Sequence, residues 1–130
     1  MAVSPSRQVL VLEDSILVAM AIEAALEDRG FEAIVVGSLA AAEERLRNAR
    51  PVAALLDLQL PDGTSLALAR ALDERGCRVA LCSGADSGVV PDGHGFAARF
   101  RKPVAAEALA AWVAEVARDD GLAPTTETPA

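Results

Sequence analysis

AALLDLQLPDG, residues 53–63, sets an apolar run against a single carboxylate, Asp57, and then turns at Pro61-Asp62-Gly63. A continuously apolar run of this length fits a strand covered on both faces by helices. A carboxylate at the exit of such a strand must be neutralised, paired or bound to a metal ion, because its ionised form is costly away from water. Partners for Asp57 have to come from elsewhere in the chain.

On the amino-terminal side, Gln8 to Leu12 (QVLVL) is predicted as a first strand, stopping at Glu13-Asp14. Ser15 caps a helix reaching Arg29, with Gly30 as its left-handed stop. Ile34 to Val36 is the second strand. Ser38 caps a helix over Leu39 to Asn48, in which Leu39, Ala42 and Leu46 share one face. Val52 to Leu56 is the third strand, the one that delivers Asp57. Thr64 to Glu74 is predicted helical by its alanine and leucine content and ends at Gly76, and Arg78 to Leu81 is the fourth strand.

Gly84 to Gly95, GADSGVVPDGHG, holds four glycines and a proline where the alternation calls for another helix. Glycine and proline cost ~1 and ~3 kcal/mol each inside a helix, so a loop or at most one turn is expected. His94, within it, is expected to face solvent. Phe96 to Phe100 is the fifth strand. Lys102-Pro103 then precedes a helix over Val104 to Arg118, where Leu109, Trp112, Val113 and Val116 fall at i, i+3, i+4 and i+7. Residues 1–118 read as one domain. Residues 119–130, rich in threonine and proline with no apolar periodicity, read as a disordered tail.

The 130 residues are 52% hydrophobic, enough for one domain with a sizeable core. No apolar stretch reaches the ~20 residues that span a bilayer, and no leader-type segment opens the chain, so a cytoplasmic protein without membrane partners is expected. Cys77 and Cys82 match no metal or CxxC spacing and are expected as small buried thiols. A net charge of −7 disfavours phosphate backbones, and direct DNA binding is not expected.

Strands alternating with helices specify a doubly wound parallel α/β sheet with right-handed crossovers, and sites in such sheets form at the carboxyl ends of strands. Those ends carry Glu13 and Asp14, then Asp57, then Ser83, then Lys102. Three carboxylates in one crevice repel one another unless a hard divalent cation sits between them, and Mg²⁺ suits two or three carboxylates plus a phosphate. Lys102 supplies a compact positive charge and Ser83 a hydrogen-bond donor to the same phosphate.

The acidic pair, LLDLQLPDG, the serine-glycine after the fourth strand and the Lys-Pro after the fifth together resemble the receiver domain of two-component response regulators, over Gln8 to Arg118. The resemblance implies a CheY-like, flavodoxin-like five-stranded sheet of order 2-1-3-4-5, its fourth helix missing or reduced to a loop. It implies that Asp57 accepts a phosphoryl group from a sensor histidine kinase or histidine phosphotransfer protein, so the chain is a signalling phosphoacceptor and not an enzyme with an external substrate. Asp14 and Asp57 would ligate Mg²⁺ or Mn²⁺, with Glu13 weakly or through water and the Gln59 backbone carbonyl as a further ligand. Lys102 and Ser83 would hold the phosphoryl group, and the Lys102–Pro103 peptide would be cis.

The family reads phosphorylation through Ser83 and an aromatic residue three places before the lysine, and here that place is Arg99. An arginine does not enter an apolar pocket cheaply, so the usual aromatic switch is in question. This departure and the glycine-rich stretch resemble single-domain receivers that pair with kinases of the HWE or HisKA2 type. Output would then pass through an unknown downstream protein or through phosphate flow, and the loop at Gly84 to Gly95 is expected to reorganise on phosphorylation. A non-phosphorylated pseudo-receiver adaptor would keep the fold and lose the site. An FMN-binding flavodoxin-like protein would need a phosphate cradle where Glu13-Asp14 repels phosphate.

Overall fold

Alternate residues of a strand point to opposite faces of its sheet, and apolar side chains at both sets of positions demand helices on both sides. The computed structural model, which describes residues 7–84 and 94–118, meets that demand. Its elements in chain order are β1 (Gln8–Leu12), α1 (Ile16–Asp28), β2 (Glu32–Val36), α2 (Leu39–Leu46), β3 (Ala53–Asp57), β4 (Gln59–Leu60), β5 (Gly63–Thr64), α3 (Leu66–Glu74), β6 (Arg78–Ser83), β7 (Ala98–Arg101) and α4 (Ala106–Ala117). Five strands form one sheet in the order β2-β1-β3-β6-β7, with every pairing parallel. With the short β4–β5 pair set aside, this is the expected 2-1-3-4-5 order.

Two apolar layers cover the sheet. Val9, Val11, Leu55, Ala80 and Cys82 pack with Ile22 and Leu26 of α1 and with Leu109 and Val113 of α4. Leu10, Leu12, Leu56 and Leu81 pack on the other side with Ala42 and Leu46 of α2 and Ala69 and Leu72 of α3. Fully burying a leucine contributes about 1.5–3 kcal/mol, so the central strands β1 and β3 carry much of the core's stability. All five residues of β3 are buried. The α4 stripe packs as its spacing requires, with Leu109 and Val113 buried and the Phe100 ring edge-on to Trp112 at 6.3 Å between centroids.

The caps lie where the sequence places them. Ser15 accepts from the Val18 amide and Ser38 from the Ala41 amide, and Gly30 and Gly76 take φ of 85° and 89° beyond α1 and α3. Several boundaries differ: β2 begins at Glu32, α2 ends at Leu46, β3 runs from Ala53 to Asp57 and β6 reaches Ser83. Residues 59–64 form an antiparallel hairpin, Gln59 against Thr64 and Leu60 against Gly63, so α3 begins at Leu66 and not at Thr64. Tertiary bonds override helix propensity here, because the Leu58 amide donates to the Cys82 carbonyl and the Ser65 amide to the Leu58 carbonyl. The last strand runs from Ala98 to Arg101 because its register is set by pairing with β6. The last helix starts at Ala106, past Pro103 and Val104.

Four helices occur among the described residues, consistent with a reduced fourth helix of the fold. The glycine-rich loop expected at Gly84 to Gly95 and the tail expected at 119–130 lie largely and wholly outside the described residues. His94, expected in solvent, is half-buried with its ring 5.8 Å from that of Phe96. Cys77 and Cys82 are both free and buried, as expected. No described helix is long and apolar enough to cross a membrane.

Candidate functional site

The parallel sheet ends its central strands β1 and β3 side by side, and the chain places acids there. Beyond β1 the Glu13 amide donates to the Val36 carbonyl at 3.0 Å, extending the ladder by one residue and turning the Glu13 side chain inward. Its carboxylate is 7% exposed; Oε2 accepts from the Ser15 amide at 3.0 Å and Oε1 from Lys102 Nζ at 3.1 Å. Asp14, next in sequence, stays exposed on the rim. Asp57 closes β3 opposite Cys82, is also 7% exposed, and receives Lys102 Nζ on Oδ1 at 2.8 Å. Lys102, the only lysine in the sequence, therefore bridges two buried carboxylates delivered by different strands. Its amide donates to the Ser83 carbonyl at 2.7 Å, and the Lys102–Pro103 peptide is cis.

Burial pushes the Asp57 carboxyl up from 3.8 to about 6; the Lys102 hydrogen bond opposes this shift and the charges of Glu13 and Asp14 add to it. Burial pulls Lys102 down, but its bonds to Asp57 and Glu13 outweigh that effect and hold it above the ordinary lysine range. Lys102 is thus a fixed positive charge at neutral pH, and Asp57 is a carboxylate close to its protonation boundary. The Cys82 thiol is pushed up to about 12, by burial first and then by Asp57, so it remains protonated and takes no part in nucleophilic chemistry.

One lysine does not balance three acids. Glu13, Asp14 and Asp57 can each offer an oxygen such that all three atoms lie within 4.8 Å of one another. An all-oxygen donor set with one solvent-facing member and excess negative charge fits a hard divalent cation that keeps some of its waters. The residues present therefore fit Mg²⁺.

Of the other expected site residues, Ser83 is half-buried at the exit of β6, in register with Arg101. Gln59 is exposed in β4, two residues past Asp57. Arg99 is exposed on β7, on the face away from Ala98 and Phe100, which pack toward α4. An arginine at this place needs no apolar pocket because it points outward.

Two features beside the site escaped the sequence reading. Ile16, Leu17, Val18 and Met20 of α1 are 74%, 80%, 41% and 58% exposed, although an apolar helical run reads by default as core. Below them a cavity of about 350 Å³ is lined by Val18, Cys82, Gly84, Lys102, Pro103, Val104 and Leu109. The other feature is Asp62, whose carboxylate accepts from the Leu39 and Ala40 amides. Asp-Gly after a proline reads only as a turn, and nothing local announces a bond to a helix 23 residues earlier.

A parallel sheet in this order, with an acidic trio and a bridging lysine at its carboxyl edge, defines the CheY-like class of doubly wound α/β proteins. The model of the response regulator receiver domain matches residues 9–113, and the chain belongs to that family. Among solved structures, the chain is similar to a CheY-like response regulator receiver domain from Methylobacillus flagellatus, at 25% identity over 86% of this chain and 99% of that one, TM-score 0.73. It is similar to a sensor protein from Polaromonas sp. JS666, at 25% identity over 92% of this chain and 100% of the other, TM-score 0.73. A CheY-like receiver from Methanospirillum hungatei JF-1, at 19% identity over 92% and 100% with TM-score 0.74, shares the fold. No curated protein matches the chain.

Proposed function

We propose that this receiver domain is the phosphoacceptor of a two-component phosphorelay, with Asp57 taking the phosphoryl group from a histidine of a sensor kinase or phosphotransfer protein. The observation that carries this reading is the Lys102 bridge: one ammonium holds Asp57 Oδ1 at 2.8 Å and Glu13 Oε1 at 3.1 Å. The bridge fixes the acceptor carboxylate and leaves Oδ2 to attack phosphorus. The new Oδ–P bond forms as the P–N bond to the donor imidazole breaks, and the electron pair returns to the ring nitrogen. Mg²⁺ or Mn²⁺, held by Asp14 and Asp57 with Glu13 and the Gln59 carbonyl in support, would neutralise charge on the phosphoryl oxygens. Lys102 and Ser83 would hold the transferred group. A carboxylate is already a nucleophile, so no general base is needed.

The phosphodonor must present its histidine within reach of Asp57, and the exposed apolar first turn of α1 supplies an adjoining surface for it. The glycine-rich stretch and the outward Arg99 favour a donor of the HWE or HisKA2 type. Output would run through protein contact or phosphate flow in the cytoplasm, with no catalytic turnover of an external substrate.

Phosphotransfer profiling tests the function: the chain is incubated in Mg²⁺ with each phosphorylated histidine kinase of its organism and labelling is followed over time. Rapid labelling by one kinase is the expected result; labelling by none, and none from acetyl phosphate, would reject it. Leu17→Glu is expected to slow transfer from that kinase about tenfold, the loss of a good apolar contact, while labelling by acetyl phosphate is unchanged. Equal slowing with both donors would place Leu17 outside the donor surface.

A further inference from the structure

The hairpin β4–β5 carries Gln59; its base is held by main-chain hydrogen bonds and by Leu58 and Leu60, which are buried in the apolar layer beneath it. The Leu58 amide reaches the Cys82 carbonyl and the Ser65 amide the Leu58 carbonyl. Ser65, at the N-cap position of α3, makes no side-chain cap bond, and its buried hydroxyl has no partner. The hairpin tip is different. Asp62 Oδ1 accepts from the Leu39 amide at 3.1 Å and Oδ2 from the Ala40 amide at 3.2 Å. Ser38 takes the next amide, Ala41, at 3.1 Å, so the first three donors of α2 are shared between its own cap and a carboxylate from across the fold. The tip also lies directly on α2: a Cβ built on Gly63 would sit 3.3 Å from Leu39 Cδ1. These amides, Leu39 above all, hold the Asp62 carboxyl below its ordinary range. Among the described residues, Asp62 makes the only side-chain hydrogen bonds from the hairpin to the rest of the fold.

We infer that Asp62 is a positioning residue for the candidate cation site: by locking the hairpin tip to the amino terminus of α2, it fixes the Gln59 main chain beside Asp57. The inference rests on the receiver reading of that site. It assigns to α2, which supplies none of the three acids, a part in metal binding. Gln59 follows Asp57 by two residues, and a hairpin free at its tip would let the carbonyl drift from any cation held by the acids. Supporting groups of this kind typically change metal affinity 10–100-fold.

The test compares Asp62→Ala with Asp62→Asn in the full chain, reading Mg²⁺ half-saturation from amide shifts and hydrogen exchange in metal-free protein. Both variants lose the charge, but Asn keeps one acceptor oxygen for an α2 amide. Asp62→Ala is expected to weaken Mg²⁺ binding about tenfold and to speed exchange at Leu39, Ala40 and the hairpin amides, with Asp62→Asn in between. Equal weakening in both variants would show a charge effect and overturn the tether. So would Mg²⁺ binding within twofold of wild type in Asp62→Ala. A wild-type chain that takes up no Mg²⁺ would reject the reading of the site itself, and the inference with it.

Discussion

Asp57→Ala is expected to reduce phosphoryl incorporation from about one group per chain to background, with the sheet intact. The carboxylates left behind are poorly placed to substitute. Glu13 has both oxygens engaged, one by the Ser15 amide and one by Lys102, and Asp14 sits on the exposed rim. Asp57 alone combines burial, a fixed orientation and a second oxygen free of the lysine. Intact-mass measurement after incubation with the labelling kinase, alongside circular dichroism to confirm folding, decides the matter. A phosphorylated Asp57→Ala chain would refute Asp57 as the acceptor.

The second large effect is on stability. The folded chain binds the Asp57 proton more tightly than the unfolded one, because the pKa is raised from 3.8 to about 6. Between those values the native state holds more protons, so its stability declines as pH rises from about 4 to about 6 and is then level. Removing the charge reverses this penalty. Asp57→Asn should be more stable than wild type at pH 7.5 by about 1–3 kcal/mol, given that one pKa unit corresponds to about 1.4 kcal/mol. That corresponds to a rise of several degrees in Tm. The loss of one Lys102 partner moderates the gain, but Glu13 retains the ammonium at 3.1 Å. Near pH 4 the difference should vanish. Saturating Mg²⁺ should stabilise the wild type, by about 2.7 kcal/mol at a hundred times Kd, and leave Asp57→Asn nearly unmoved. Thermal melts at pH 4 and pH 7.5, with EDTA or Mg²⁺, measure all four conditions. An Asp57→Asn chain less stable than wild type at pH 7.5 in EDTA would mean that the Lys102 bond outweighs burial.

Both predictions trace to a constellation that was readable residue by residue. Glu13, Asp14, Asp57, Ser83 and Lys102 each follow an apolar run with strand character, and a doubly wound sheet puts strand exits along one edge. The structure brings Glu13, Asp14, Asp57 and Lys102 into contact range and sets Ser83 at the next strand end, its carbonyl bonded to the Lys102 amide. Less legible were elements whose state depends on distant partners. Thr64 has no local reason to leave a helix; it does so because Gln59 pairs with it and Leu58 is tied to Cys82. Ile16 and Leu17 have the composition of core residues, and only the packing of Ala19, Ile22 and Leu26 shows that the helix turns them outward.

The sequence by itself determined the alternation of strands and helices, the caps at Ser15 and Ser38, and the acids and lysine at the strand exits, since all of these are written in local periodicity and spacing. Only the tertiary structure decided that one ammonium spans Asp57 and Glu13, that the Asp57 carboxyl is pushed to about 6, and that Asp62 reaches α2. The physical reason is that hydrogen bonds, burial and charge interactions act over a few ångströms, and residues 89 or 23 positions apart come that close only once the sheet has formed.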